Sequence, residues 1–230
     1  MLISAHHLVL ITWWSPLIAS ILAACLQYRT SRHWAHRVVL LGLGVAVVAA
    51  WTLGYGFYAY DMQPLSGIAY TWFEYGTLTV PVGYRVDALT MQMMAMCTLV
   101  SFAVGVYSIG YMHDEDGYAH FFAYVSLFVF MMLTMVLADN LVLFFFGWEG
   151  MGVVSYLLIG FYIEKPSASF SALRAFVVNR IGDIGLAVGI AGCFYATGSV
   201  DIQTVIQRVP ALAAESFPLW GDASLWLLPL

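Results

Sequence analysis

Charge is scarce in this sequence. Only 9% of its 230 residues are charged, and its single lysine is Lys165. Soluble domains carry about 25% charged residues, so this chain could not cover a water-facing surface of its size. Cysteine is scarce too. Cys25, Cys97 and Cys193 each lie inside an apolar run and form no CxxC pair, which argues against a disulfide framework or a zinc site. No basic cluster with interleaved aromatics points to nucleic acid. There is no GxGxxG opening a helix after a strand, no Walker motif and no histidine pair placed as haem ligands, so no redox cofactor is expected in this chain.

Apolar residues are abundant instead, at 62% of the chain, and they come in runs rather than in alternation. A helix needs about 20 mostly apolar residues to cross a bilayer. Six runs qualify, at 7–27, 38–60, 88–110, 119–138, 141–162 and 171–197. A last stretch, Ala223–Leu230, reads as the start of a seventh span that stops after about two turns. The expectation is an all-α polytopic membrane protein with six complete spans and a truncated seventh. The first run, His6 to Leu26, has no Lys/Arg-rich leader and no clear small-x-small cleavage site, so it reads as a retained span. No strong internal repeat is visible.

Basic residues set the expected orientation. Arg29, Arg32 and Arg37 follow span 1, and Lys165 and Arg174 follow span 5; the opposite loops carry only Arg85 and Arg208. This puts the first set in the cytoplasm and the N-terminus outside. The acidic loop Tyr111–His120 falls on the cytoplasmic side, but acidic residues count little in this rule. Two outer loops carry pattern. The alternation in TLTVPVGYRV predicts a small β-hairpin near 70–86. In DIQTVIQRV the apolar residues Ile202, Val205 and Ile206 recur at helical spacing, which predicts a short amphipathic helix at the membrane interface.

A charge at bilayer depth costs at least about 2.5 kcal/mol, so residues that bear this cost are functional candidates. Glu149 lies near the middle of span 5, in FFFGWEGMGVVSYLLIGFY. The neighbouring Gly147, Gly150 and Gly152 permit close approach of another helix or leave room for water. A carboxyl that changes protonation state as a cation moves beside it is what a proton relay requires. The bland alternative is a glutamate that glues two helices together. Arg180 and Asp183 lie near the middle of span 6, and their i, i+3 spacing puts them on one face. They can pair and so neutralise each other, which makes a structural role as easy to argue as a functional one. Spans 5 and 6 are joined by a short connection, so Glu149 and Asp183 should share a depth in one polar layer, with Asn179 beside them.

Other polar residues have simpler readings. Asp87 suits a helix N-cap, and Asp139–Asn140 a tight turn. His113, Asp114, Glu115, Asp116 and His120 read as a solvated loop without metal-ligand spacing, so no metal site is expected. His6, His7, His33 and His36 sit at membrane edges. Met91, Met93, Met94, Met96 and the Phe144–Phe146 run read as packing residues.

The stretch EDGYAHFFAYVSLFVFMMLTMVLADNLVLFFFGWEGMGVVSYLLIGFY, followed by ALRAFVVNRIGDIGL, resembles the L subunit of bacterial respiratory NADH–quinone oxidoreductase (complex I), equivalent to mitochondrial chain 5. ADN, GWEG, SYLLIGF and AF-VNR-GD in this order carry the likeness, which covers most of residues 85–200. The resemblance implies an antiporter-like transmembrane helix bundle. It divides the chain into an N-terminal pair of helices (1–66), the outer hairpin with the third span (67–122), and the start of a proton-translocating domain (123–230). It implies that Glu149 pairs with a lysine on the seventh span to gate protons, and that Asp183 and Arg180 tune that pair. It also implies that FMN, iron–sulfur clusters and quinone belong to partner subunits, with a neighbouring antiporter-like subunit and the lipid bilayer as direct partners and a bacterial cell inner membrane as the location. The sequence departs from the family by stopping before the gating lysine, the later broken helix, the second half-channel and the lateral helix, and reads as a partial sequence. The rival readings are the large subunit of a multi-subunit cation/proton antiporter and a structural membrane scaffold.

Overall fold

The computed structural model describes residues 4–26, 34–60, 63–76, 78–115, 117–212, 216–220 and 223–226. Arg29, Arg32, His33 and Asp116 lie outside these residues. The six apolar runs form helices α1 (Ala5–Leu26), α2 (Ala35–Tyr60), α3 (Ala88–Tyr111), α4 (Tyr118–Leu137), α5 (Leu141–Ile159) and α6 (Pro166–Thr197). Each is long and apolar enough to cross a membrane. Helices suit that setting because their backbone groups are satisfied internally, where lipid offers no hydrogen bonds.

Helix α4 is the centre of the bundle. It packs against α1, α2, α3 and α5. Where lipid surrounds helices, small residues and interhelical hydrogen bonds hold them together, and both occur here. The Trp13 indole donates to Thr134 Oγ1 at 2.8 Å, Ser20 to the Ala123 carbonyl at 2.8 Å, and Ser126 to the Pro16 carbonyl at 2.7 Å. All three join α1 to α4. Gly42 of α2 lies directly against Ala19 of α1, with no room for a methyl group between them. Helix α6 is peripheral. It packs on α5 and on α7 (Ile202–Leu212), and its buried residues are Ala172, Asp183 and Thr197.

The loop between α2 and α3 forms a hairpin of β1 (Leu65–Tyr75) and β2 (Leu78–Val86), antiparallel from Leu65↔Val86 to Tyr75↔Leu78. It begins earlier than the alternation near 70–86 suggested, because pairing runs the full length of β2. Gly76 turns the chain with φ +59°, a conformation that suits glycine. At this end of the bundle several segments are tied together. His6 Nδ1 lies 2.6 Å from the Tyr84 hydroxyl. Asn140 caps α5 by accepting from the Leu143 N–H, and its amide donates to the Pro81 carbonyl of β2 at 2.8 Å. The Leu141 N–H donates to the Val200 carbonyl and the Ile202 N–H to the Asp139 carbonyl. Burial above all pushes the Asp139 carboxyl up from the usual carboxylate range, and burial likewise raises the Tyr84 phenol. Asp87 caps α3 by accepting from the Thr90 N–H at 2.9 Å, and that hydrogen bond holds its carboxyl below the usual range.

Two sequence expectations need correction. Helix α6 starts at Pro166, five residues before the expected 171, so Arg174, counted with the loop after span 5, lies more than two turns inside the helix. Proline at the first helical turn costs no hydrogen bond there, which explains the early start. The expected seventh helix does not begin at Ala223. Residues Ala223–Trp226 are strand β4, paired antiparallel with β3 (Ser216–Trp220); residues 227–230 of that stretch lie outside the described residues. A run this short forms few i→i−4 bonds against the cost of nucleation, whereas pairing across a hairpin satisfies its backbone at once. The amphipathic helix predicted around DIQTVIQRV is α7. Asp201 caps it by accepting from the Thr204 N–H at 2.7 Å, after Gly198 (φ +69°) has ended α6.

Candidate functional site

The site lies between the middles of α5 and α6. Glu149 sits at the centre of α5, and three glycines shape the helix around it. A Cβ on Gly147 would stand 2.6 Å from the Met135 backbone nitrogen of α4, and one on Gly150 would overlap Met131. These two positions seat α5 tightly on α4. Gly152 faces α6, where Asn179 Nδ2 is the nearest atom at 3.9 Å. Gly147 and Gly150 thus permit the close approach of a neighbouring helix, α4, that the sequence implied.

Arg180 reaches across from α6, and one guanidinium nitrogen, Nη1, donates to both carboxylate oxygens of Glu149. Phe176, one turn earlier on α6, lies under the guanidinium with its ring centroid 4.7 Å from Cζ. Cation–π attraction there adds to the ion pair. Asp183 is buried, at 5% exposure. It keeps the ion pair with Arg180 that the i, i+3 spacing suggested, but loosely and without a hydrogen bond. Its Oδ2 stands 3.9 Å from Arg180 Nε, and its Oδ1 accepts from the Trp148 indole N–H at 2.9 Å. The structure therefore brings all three sequence candidates together and adds partners from the neighbouring helix: the arginine hydrogen-bonds the glutamate while keeping its ion pair with Asp183, and a tryptophan hydrogen-bonds the aspartate.

Trp148 is the residue that sequence reasoning missed. The signal was present, because a tryptophan at membrane depth beside a glutamate carries an indole N–H that needs a partner. Phe144, one turn earlier on α5, stacks on it with ring planes 22° apart.

Away from the hairpin, a cavity of about 550 Å³ opens where α4, α5 and α6 meet. Glu115, His120, Tyr124, Tyr156, Glu164 and Lys165 are on its wall. Glu115 accepts from the Tyr162 hydroxyl at 3.1 Å, and Lys165 Nζ lies 4.3 Å from the Tyr162 ring centroid. Tyr156 follows Glu149 by seven residues, about 10 Å along α5 and on the same face. His113 pairs with Asp114 at 2.9 Å in an exposed loop. Among the described residues, no group of three or more His, Cys, Asp or Glu side chains is placed to hold a metal ion.

The arrangement can do one kind of chemistry well. A carboxylate bound to a guanidinium that has a second carboxylate close by can trade its partner for a proton with little change in shape, because the freed cation has somewhere to go.

Two family models match the chain. The model described as NADH-ubiquinone oxidoreductase (complex I), chain 5 N-terminus, matches residues 72–122, and the one described as NADH:quinone oxidoreductase/Mrp antiporter, TM, matches residues 138–226. Together they span well over half of the sequence. NADH-quinone oxidoreductase subunit L of Neisseria meningitidis is 43% identical over 197 residues, covering 85% of this chain and 29% of the relative. The subunit of the same name from Escherichia coli is 36% identical over 213 residues, covering 93% of this chain and 35% of the relative. This chain thus spans about a third of the length of these relatives. The Mrp complex from Dietzia superposes with TM-score 0.71 at 22% identity, covering 93% of this chain and 22% of that one. An archaeal membrane-bound sulfane sulfur reductase does so with TM-score 0.71 at 16% identity, covering 88% of this chain and 30% of that one. These two likenesses are of fold.

Proposed function

Because the chain belongs to the chain 5 family of NADH:quinone oxidoreductase, the L-type membrane subunits, we propose that it is the N-terminal part of a proton-translocating subunit of that complex. NADH oxidation and quinone reduction take place in other subunits, and this chain takes part in moving protons across a bacterial inner membrane. Its direct partners are a neighbouring antiporter-like subunit and lipid. FMN, iron–sulfur clusters and quinone are held elsewhere in the complex.

The observation that carries this reading is the Glu149–Arg180 contact between two membrane-crossing helices, with Asp183 beside it. A scaffold needs no ion pair at that depth, since apolar residues of similar volume would hold the helices at no desolvation cost. In the relay, Glu149 is the carboxyl that binds and releases the proton, Arg180 is its counter-ion, and Asp183 is the second anion that steadies Arg180 when Glu149 is neutral. The cation that the resemblance places on the seventh span would be the next station.

A second reading is supported by the shared family description and by the Mrp likeness: the large subunit of a cation/proton antiporter. One experiment separates the two. The gene for the full-length protein is deleted in its host, and inner-membrane vesicles are assayed for NADH-driven acidification and for sodium-driven proton exchange. The proposal expects NADH-driven acidification to be lost and to return on complementation. Loss of sodium-driven exchange alone, with NADH-driven acidification intact, would move the assignment to the antiporter.

A further inference from the structure

Arg180 stands between two carboxylates and is fully engaged with one of them. Both Glu149 oxygens take its Nη1, while the nearer Asp183 oxygen stays at 3.9 Å from Nε. That separation is wider than a hydrogen bond, although the two residues are one turn apart on the same helix and Asp183 is buried. The other Asp183 oxygen is taken by a donor on the neighbouring helix, the Trp148 indole at 2.9 Å. Trp148 is itself braced by Phe144. It also directly precedes Glu149, so one turn of α5 presents both the acceptor for Arg180 and the donor for Asp183.

We infer that Trp148 is a positioning residue of this site, whose indole N–H holds Asp183 off Arg180 and so commits the arginine to Glu149. This rests on the reading of Glu149 as the proton carrier and deepens it. When Glu149 takes up its proton, Arg180 turns to Asp183. The indole bond sets how readily that exchange happens, and so sets the balance between the two partners. A donor on α5 senses the relative placement of the two helices.

The test uses the full-length protein in its assembled complex, in sealed membrane vesicles, with assembly checked on a native gel. Trp148→Phe keeps an aromatic ring against Phe144 but has no N–H. The expected result is a fall in the proton-pumping rate of about tenfold, the rate equivalent of one hydrogen bond to a charged group. Its pH profile is expected to move by about half a pH unit or more. Trp148→Gln restores an N–H three bonds from Cβ, the same reach as the indole, and is expected to recover most of the rate. In an Asp183→Ala background, Trp148→Phe should cost almost nothing further, because the group it positions is gone. A Trp148→Phe complex that pumps at the wild-type rate and pH profile overturns the inference. So does a loss of the same size with and without Asp183, which would make Trp148 a packing residue. Glu149→Gln is run alongside. If it abolishes pumping while Trp148→Phe has no effect, only the inference falls. If Glu149→Gln leaves pumping intact, the relay reading falls as well.

Discussion

Arg180→Leu is expected to lower the amount of assembled subunit in the membrane several-fold and to abolish proton pumping in what remains. Arg180 is the guanidinium that both Glu149 oxygens accept from. Without it, the carboxyl must either stay charged at a depth where charge costs several kcal/mol or take up a proton and stop acting as an anion. The pair is part-buried, so removing one partner costs up to about 3 kcal/mol, the lower end for a fully buried pair, still a large part of the stability of a typical domain. Asp183 loses its nearest cation at the same time. Arg180→Lys is expected to fall in between, since an ammonium is a point charge and cannot reproduce the flat face that the guanidinium lays over Phe176. Native gels and thermal melting of the purified complex report the effect. Equal assembly and melting in wild type and Arg180→Leu would mean that the pair carries little energy.

The second large effect is expected at Gly147, and it is one of shape. A Cβ there would lie 2.6 Å from the Met135 backbone nitrogen and 2.8 Å from its Cα. Real Cβ atoms do not approach backbone so closely, and a helix backbone cannot step aside as a flexible side chain can. Gly147→Leu must force α5 away from α4, at a cost of about 3 kcal/mol. That displacement would also carry Trp148 and Glu149 away from α6. The expected result is loss of the folded subunit from the membrane fraction. Gly152→Ala is the control, because its nearest neighbour is a side-chain atom at 3.9 Å; it is expected to assemble at the wild-type level. Equal yields of the two variants would contradict the close seating of α5 on α4.

Much of this could be read from the sequence, and the parts that could not have physical reasons. The six helices were legible because 20-residue apolar runs have few other fates in so charge-poor a chain. The hairpin, the α7 amphipathic helix and the Asp87 cap were legible because local patterns specify them. That the three charged residues of spans 5 and 6 lie together at one depth was legible from cost alone, since a charge at mid-membrane depth needs a partner there. The partners within the site were not. Spacing on one helix suggested Arg180 with Asp183, and that ion pair is present at 3.9 Å, but Arg180 is also long enough to cross to Glu149 on α5, which spacing along one helix does not show. Trp148 was hidden for the same reason: its bond to Asp183 joins residues 35 apart in sequence. The hairpin of β3 and β4 was mistaken for a helix start because a short apolar run does not declare its period.

The role of Glu149 can be decided in one preparation. The full-length protein carrying Glu149→Gln is assembled in sealed membrane vesicles, and NADH oxidation and NADH-driven acidification are recorded together. Glutamine keeps the shape of the side chain and can still accept from Arg180, and Asp183 stands ready at 3.9 Å to balance the freed charge. The complex should therefore assemble. Glutamine cannot bind and release a proton, so acidification should fall by about tenfold or more, whether or not oxidation falls with it. Wild-type oxidation and acidification in the assembled variant would show that Glu149 only holds the helices together, and the proton path proposed through it would have to be abandoned.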